Sequence, residues 1–388
     1  MVTIEEALGI IEDQKIDLKT EVRPLEASLG YALSKNIISP FDVPEFDNSA
    51  MDGYALSGLY QEYRLVGEVA AGDSTIISLN DGEAVRIFTG AKVPENTMAV
   101  MMQEKTSVKD KTLFLDEMPK VGQNIRKKGG QLVEGQVVFE KGHILNPPSL
   151  ALMGSLGRSE LEVFSKPRVN IITTGNELVK PGQPKLEGQI YESNSYAISG
   201  ALQQFGFEHH QKTQIQDDFE ATKAGIQTAL ESCDVLIISG GISVGDYDFV
   251  KQSLEENGVN ELFYKVFQKP GKPLYFGRKD NKFVFALPGN PASSLTCFYV
   301  YVLPLLHKLS GYRRTGLPTY QFPIKHGYEN RFGRPSFLKA AILDGKVEVL
   351  DGQGSSMIQS MAKGNVLAFV DDGEKLTAGD LIRCKLIS

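Results

Sequence analysis

Between residues 167 and 311 the chain repeats one pattern: a short apolar run ends in glycine or a polar residue, and a stretch with helical spacing of apolar residues follows. The apolar runs are 169–173, a weaker one at 209–215, 235–239 and 283–287; the helical stretches are 193–204, 219–233, 249–256 and 292–310. Continuous apolar runs alternating with helices specify parallel strands covered on both faces. The segment is therefore expected to be a doubly wound α/β domain, whose ligand lies beyond the C-terminal ends of its strands.

The flanking text differs. At 388 residues the chain exceeds one core. From about 60 to 165, short β-type runs such as EYRLVGEV, EAVRIFTG and TLFLDE alternate with Gly, Pro, Asn and Asp clusters, with one short helix near 148–156. Residues 3–13 carry a helical period behind Thr3 and Glu6, a capping-box pair. After Gly311 short strands and turns return. The expected architecture is multidomain α/β plus β: residues 1–44 with 131–166 as an N-terminal helical and extended domain, 45–130 as a mostly β domain, 167–311 as the α/β domain, and 312–388 as a small β-barrel-like domain.

Charge and composition exclude several classes. Acidic residues outnumber basic ones by 48 to 41, and a net charge of −7 disfavours general nucleic-acid binding. The longest apolar stretch, 297–306, is half of what a membrane span needs, about twenty residues. Cys233, Cys297 and Cys384 are isolated in sequence, and the N-terminus lacks a basic region and an apolar signal core, so a cytoplasmic location is expected. The five histidines show no metal spacing, no nucleophile elbow of the GxSxG type with plausible partners is evident, and the GxxxxGK[ST] and GxGxxG patterns are missing.

Three strand ends converge on the expected crevice: Thr174-Gly175-Asn176-Glu177, the loop Ser239-Gly240-Gly241-Ile242-Ser243-Val244-Gly245-Asp246-Tyr247-Asp248, and Pro288-Gly289-Asn290-Pro291-Ala292-Ser293. Glycines let backbone N–H groups approach a ligand, and a following helix turns its positive end toward it, which suits phosphate. Lys269 and Lys272 of KPGKP, with Lys265 just before, add cations on a proline-stiffened segment. Glu177, Asp217, Asp218, Asp246 and Asp248 supply the opposite charge, with helix capping as the competing role for Asp218 and Asp246. Acids beside an anion site call for a divalent cation between them, and Mg²⁺ typically bridges one or two carboxylates to substrate phosphates. The loop 44–55, dense in small and polar groups, has no regular period and reads as a functional loop.

In order along the chain, PEFDNSAMDGYA, RIFTGAKVPE, GQNIRKKGG, TTGNEL, SGGISVGDYDF, KPGKP and LPGNPASS closely resemble the molybdopterin molybdenumtransferase family, the bacterial MoeA type related to the E domain of gephyrin. The resemblance implies an elongated homodimer of four-domain subunits whose site lies between the α/β domain of one subunit and the β domain of the other. It implies insertion of molybdate into adenylylated molybdopterin with release of AMP and use of Mg²⁺, and a molybdopterin adenylyltransferase as partner. It assigns Asp52 and Thr89 to catalysis across the dimer, with Glu177, Asp217 and Asp248 as catalytic and metal-holding acids. It places Ser239, Gly240, Gly241, Ser243, Gly245, Lys265, Lys269, Lys272, Pro288, Pro291 and Ser293 around pterin and molybdate. Two positions depart from it: Gly130 and Gln131 stand where relatives carry an acidic pair, and Lys339 stands at what resembles an arginine position, which leaves a point-charge contact in place of a bidentate one. Two other readings stay open, a gephyrin-type scaffold and a molybdopterin adenylyltransferase; the second family resembles the α/β domain alone, and the added β regions here speak against it.

Overall fold

The computed structural model describes residues 1–73, 77–242 and 249–387. The chain divides into two compact units, one formed by Lys35–Lys141 and Pro148–Ser159, the other by Met1–Ser34, Gly142–Pro147 and Glu160–Ser388. No described helix is long and apolar enough to cross a membrane.

The unit of Lys35–Lys141 is built on a six-stranded mixed sheet in the order Ala99–Met102, Gly53–Leu56, Glu83–Ile87, Glu62–Val69, Thr112–Leu115, Thr106–Lys109. Alternation along the strands sends Ala55, Val85, Ile87 and Val100 into one apolar cluster and Leu56, Ala84 and Met101 into another, so both faces of the sheet are covered. The helix expected near 148–156 is Pro147–Ser155.

In the other unit the opening helix, Ile4–Glu12, carries its capping box: the Thr3 hydroxyl accepts from the Glu6 N–H at 3.1 Å, and the Glu6 carboxylate accepts from the Thr3 N–H at 2.7 Å. The central sheet runs His210–Ile215, Val169–Thr174, Val235–Ser239, Lys282–Leu287, Tyr275–Lys279, Asn260–Tyr264. Its first four strands are parallel, as the alternating pattern requires. The last two are antiparallel, which the sequence reading did not anticipate. Asn260–Tyr264 shows no clean alternation of burial, and Tyr275–Lys279 joins its neighbour through a tight turn at Asp280, φ +53°, so neither looks like a strand of a βαβ unit.

Helices cover both faces. Ile4–Glu12, Asn194–Gln204 and the run 291–309 pack on one, Phe219–Ser232 and Phe249–Glu256 on the other. The run expected as one helix over 292–310 is three pieces, Pro291–Cys297, a π turn at Phe298–Val302, and Leu303–Leu309. Pro304 explains the break: it has no N–H to donate, and its ring displaces the preceding turn. Phe276 lies at the centre of an aromatic cluster, 4.6 Å from Phe285, 5.5 Å from Phe263 and 6.0 Å from Phe283 between ring centroids.

The terminal segment forms a five-stranded antiparallel sheet, Thr319–Pro323, Leu381–Leu386, Val366–Val370, Ser336–Leu343, Lys346–Val349. One face encloses Leu338, Ala340, Val366, Ala368 and Ile382. Phe337, Met361, Leu367 and Ile387 instead join the apolar core of the α/β domain. All three cysteines are free and buried, and burial pushes the Cys297 thiol up to about 12, so these are packing residues.

His307 is a buried ring stacked on Tyr312 at 4.8 Å, and its Nδ1 has no partner among the described residues. Burial, with the Lys166 ammonium nearby, pulls its pKa down to about 4. The native state therefore resists a proton that the unfolded chain takes up near 6.5, so stability is full above that pH and falls as pH drops toward 4. The expected loss is roughly 3 kcal/mol at pH 4, at 1.36 kcal/mol per pH unit. Denaturant titrations at pH 7 and pH 4 on wild type and His307→Gln check it; an equal acid loss in both would remove the assignment.

Candidate active site

A cavity of about 590 Å³ opens beyond the C-terminal ends of the strands ending at Thr174, Ser239 and Leu287. Its walls include Glu177, Asp217, Ser239, Gly240, Gly241, Pro288 and Pro291. Seven residues expected at the site are thus brought together by the topology of a parallel sheet, whose loops all leave on the same edge.

The glycines hold the backbone close. Gly240 has φ +100°, and a Cβ there would lie 2.5 Å from the Thr174 carbonyl oxygen on the neighbouring strand. At Gly241, φ +61°, a Cβ would meet Val250 Cγ2 at 2.7 Å. Only glycine fits both positions without moving a strand or a helix.

Asp217 is half-buried, and its carboxylate accepts from the Thr174 hydroxyl at 3.2 Å; its N–H donates to the Asn176 side chain at 3.2 Å. Asp218 takes the capping role, accepting from the Ala221 N–H at 2.9 Å at the start of Phe219–Ser232. Among the described residues no three His, Cys, Asp or Glu groups gather as a metal site. Ser243, Gly245, Asp246 and Asp248 lie outside the described residues.

Asp52 and Thr89, 37 positions apart, meet in the unit of Lys35–Lys141. The Asp52 carboxylate accepts from both the Thr89 hydroxyl and the Thr89 N–H at 2.7 Å. These two hydrogen bonds hold the exposed Asp52 carboxyl below the usual carboxylate value.

The lysines fall elsewhere. None of Lys265, Lys269 and Lys272 lines the cavity; Pro273, the neighbour of Lys272, does. The Lys265 ammonium sits over the Tyr264 ring at 4.7 Å. That of Lys269 sits 3.0 Å from the Phe332 ring centroid, where burial and then Arg334 lower its pKa. The Lys269 backbone bonds to Pro335 and Phe337, so this segment is stitched to the terminal sheet. Lys272 is exposed. Ser293 is buried and donates its N–H to the Ser355 carbonyl at 3.2 Å.

Lys339 is also not aimed at an oxyanion. It is 3% exposed, and its ammonium donates to the carbonyls of Gly354 at 2.7 Å and Met357 at 3.1 Å. It fastens the loop that carries Ser356 to the cavity wall.

Sequence reasoning missed Asn194 and Ser356. Asn194 donates to the Ser239 hydroxyl at 2.8 Å and the Gly289 carbonyl at 2.7 Å, tying two of the strand ends together, and its buried Oδ1 has no partner among the described residues. The string Glu192-Ser193-Asn194-Ser195 before a helical period was its signal, since polar residues at a helix start commonly cap. Here the buried Glu192 caps instead, accepting from the Ser195 N–H at 2.7 Å and hydroxyl at 2.6 Å.

Residues 2–157 match the family described as "MoeA N-terminal region (domain I and II)", and residues 170–308 match "Probable molybdopterin binding domain". The chain is 36% identical over 396 residues to a molybdopterin molybdenumtransferase of Haemophilus influenzae, covering 98% of each. It is 34% identical to that of a Nostoc species, covering 92% of this chain and 86% of the relative. A solved molybdopterin biosynthesis MoeA protein of Pyrococcus horikoshii superposes over 100% of both chains with TM-score 0.85 and 28% identity. With that likeness running nearly end to end, the chain belongs to the molybdopterin molybdenumtransferases, a family of molybdenum cofactor biosynthesis.

Proposed function

We propose that the protein inserts molybdate into adenylylated molybdopterin and releases AMP, with help from a divalent cation. The observation that carries this reading is one cavity in which the Gly240-Gly241 backbone approach faces two carboxylates, Glu177 and Asp217. A phosphate-bearing substrate fits the glycine side, because strand-end N–H groups and helix starts favour anions. The carboxylate side would repel that substrate unless a cation lay between. Two carboxylate donors suit Mg²⁺, which usually keeps water and substrate phosphate as its remaining ligands. Glu177 and Asp217 would hold it, and the cation would screen charge on the phosphate chain. Asn194 keeps the strand ends of Ser239 and Gly289 in register around the bound pterin nucleotide.

The test is AMP release from adenylylated molybdopterin by the purified chain, with molybdate and Mg²⁺ present and each withheld in turn. Release that ignores both would overturn the proposal.

Asp52 and Thr89 belong to the same reaction through a homodimer, each subunit lending this pair to its partner's crevice. The paired hydrogen bonds support this: they hold an exposed carboxylate in one orientation at the surface. A stable dimer is expected in sedimentation, and a fully active monomer would sink the idea.

A further inference from the structure

The strands of the central sheet begin at the edge opposite the crevice, near Val169, Val235 and Lys282, and a second cavity of about 270 Å³ lies there. Three segments wall it: 15–19 after the opening helix, 165–168 entering the sheet, and part of the hairpin around Asn281. Six lining residues are cations, Lys15, Lys19, Lys166, Arg168, Arg278 and Lys282, against two acids, Asp17 and Asp234. An excess of four positive charges in one concavity of a chain of net charge −7 is a strong local inversion.

Most of that charge is not cancelled locally. Asp234 takes Lys19 at 2.8 Å and Arg168 at 3.5 Å. Lys166 and Lys282 donate instead to neutral carbonyls, of Gly206 at 2.8 Å and Cys233 at 3.0 Å, which fix the ammonium groups; Glu208 offsets part of the Lys166 charge. Arg278 is held over the Phe283 ring at 5.1 Å and bonds Gln14 and Asn281, both neutral amides. Three donors have no partner among the described residues: the Lys15 ammonium, the Ser165 hydroxyl and the Asn281 amide N–H. Fixed cations with spare donors around a concave wall form a recognition pattern for a doubly charged oxyanion.

We propose that this cavity is a second anion site, taking a phosphate group at the sheet edge remote from the crevice. The guest is either free inorganic phosphate or a small phosphate monoester. Ile16, Leu18 and Leu309 beside the cations offer apolar surface for the organic part of an ester. The site depends on none of the residues assigned to the reaction.

Calorimetric titration of the full chain with inorganic phosphate and with ribose 5-phosphate tests it. Wild type is expected to show a salt-sensitive binding event that weakens about tenfold or more in Lys15→Glu, since one charge-assisted contact becomes a repulsion. Lys15 is exposed and unpaired, so this variant should fold; Asn281→Ala should give a smaller loss by removing a neutral donor. Tighter binding of ribose 5-phosphate identifies the guest as a monoester, and tighter binding of the inorganic ion identifies it as free phosphate; both support the site. Unchanged binding of both probes in Lys15→Glu, or no binding of either by wild type, would overturn it.

Discussion

Glu177→Gln combined with Asp217→Asn is expected to slow AMP release by about 10²- to 10⁴-fold. Each carboxylate contributes one charge-assisted contact to the bound cation, about 1.5–3 kcal/mol, and every 1.4 kcal/mol is tenfold. The amides keep the shape of the wall: Asn at 217 still offers an oxygen to the Thr174 hydroxyl, and neither acid forms an ion pair among the described residues. The fold should therefore survive while the Mg²⁺ concentration for half-maximal rate rises. Single-turnover AMP release over a Mg²⁺ series measures both quantities. A double variant with the wild-type rate and the wild-type Mg²⁺ dependence would show that these acids do not handle the cation.

Phe276→Ala is expected to destabilise the unit that holds the crevice by about 3–5 kcal/mol, the usual cost of emptying a fully buried phenylalanine site. Phe276 is inaccessible to solvent and touches three other phenylalanine rings, so the neighbours cannot collapse into the space without leaving their own contacts. Urea titration should show an earlier midpoint with an unchanged slope. Phe276→Leu should recover a large part of the loss, because it refills most of the volume. A loss below about 1 kcal/mol in Phe276→Ala would mean that the cluster repacks freely.

The α/β half of the fold was legible because its signal is local and repeated: apolar runs ending in glycine, with helical periods between them. The same rule located the crevice, since parallel strands must release their loops on one edge. The antiparallel strands at Asn260–Tyr264 and Tyr275–Lys279 were not legible, because an edge hairpin with mixed burial carries neither the continuous apolar run nor the helix that marks a βαβ unit. The lysines of KPGKP show a different limit. Charge and stiffness can be read from residue types, but the direction of a side chain depends on the element packed against it. Here Lys269 meets Phe332 from a segment more than sixty residues away. Asn194 and Ser356 were missed for a related reason: a neutral amide or hydroxyl gains its role only from the strand ends and loops that fold around it.

The sharing of one apolar core between the α/β domain and the terminal sheet bears on portability. Phe337, Met361, Leu367 and Ile387 are packed with residues of the central sheet and its helices, and Ser356 closes part of the crevice. A chain cut near Gly311 would retain every strand of the central sheet but would expose an oily face and lose one wall of its pocket. Grafting the α/β domain alone onto another protein, or exchanging terminal domains between relatives, would thus require re-matching those four core contacts as well as the Lys339 tether. The two pieces behave as one heritable module, although their sequence patterns look separable.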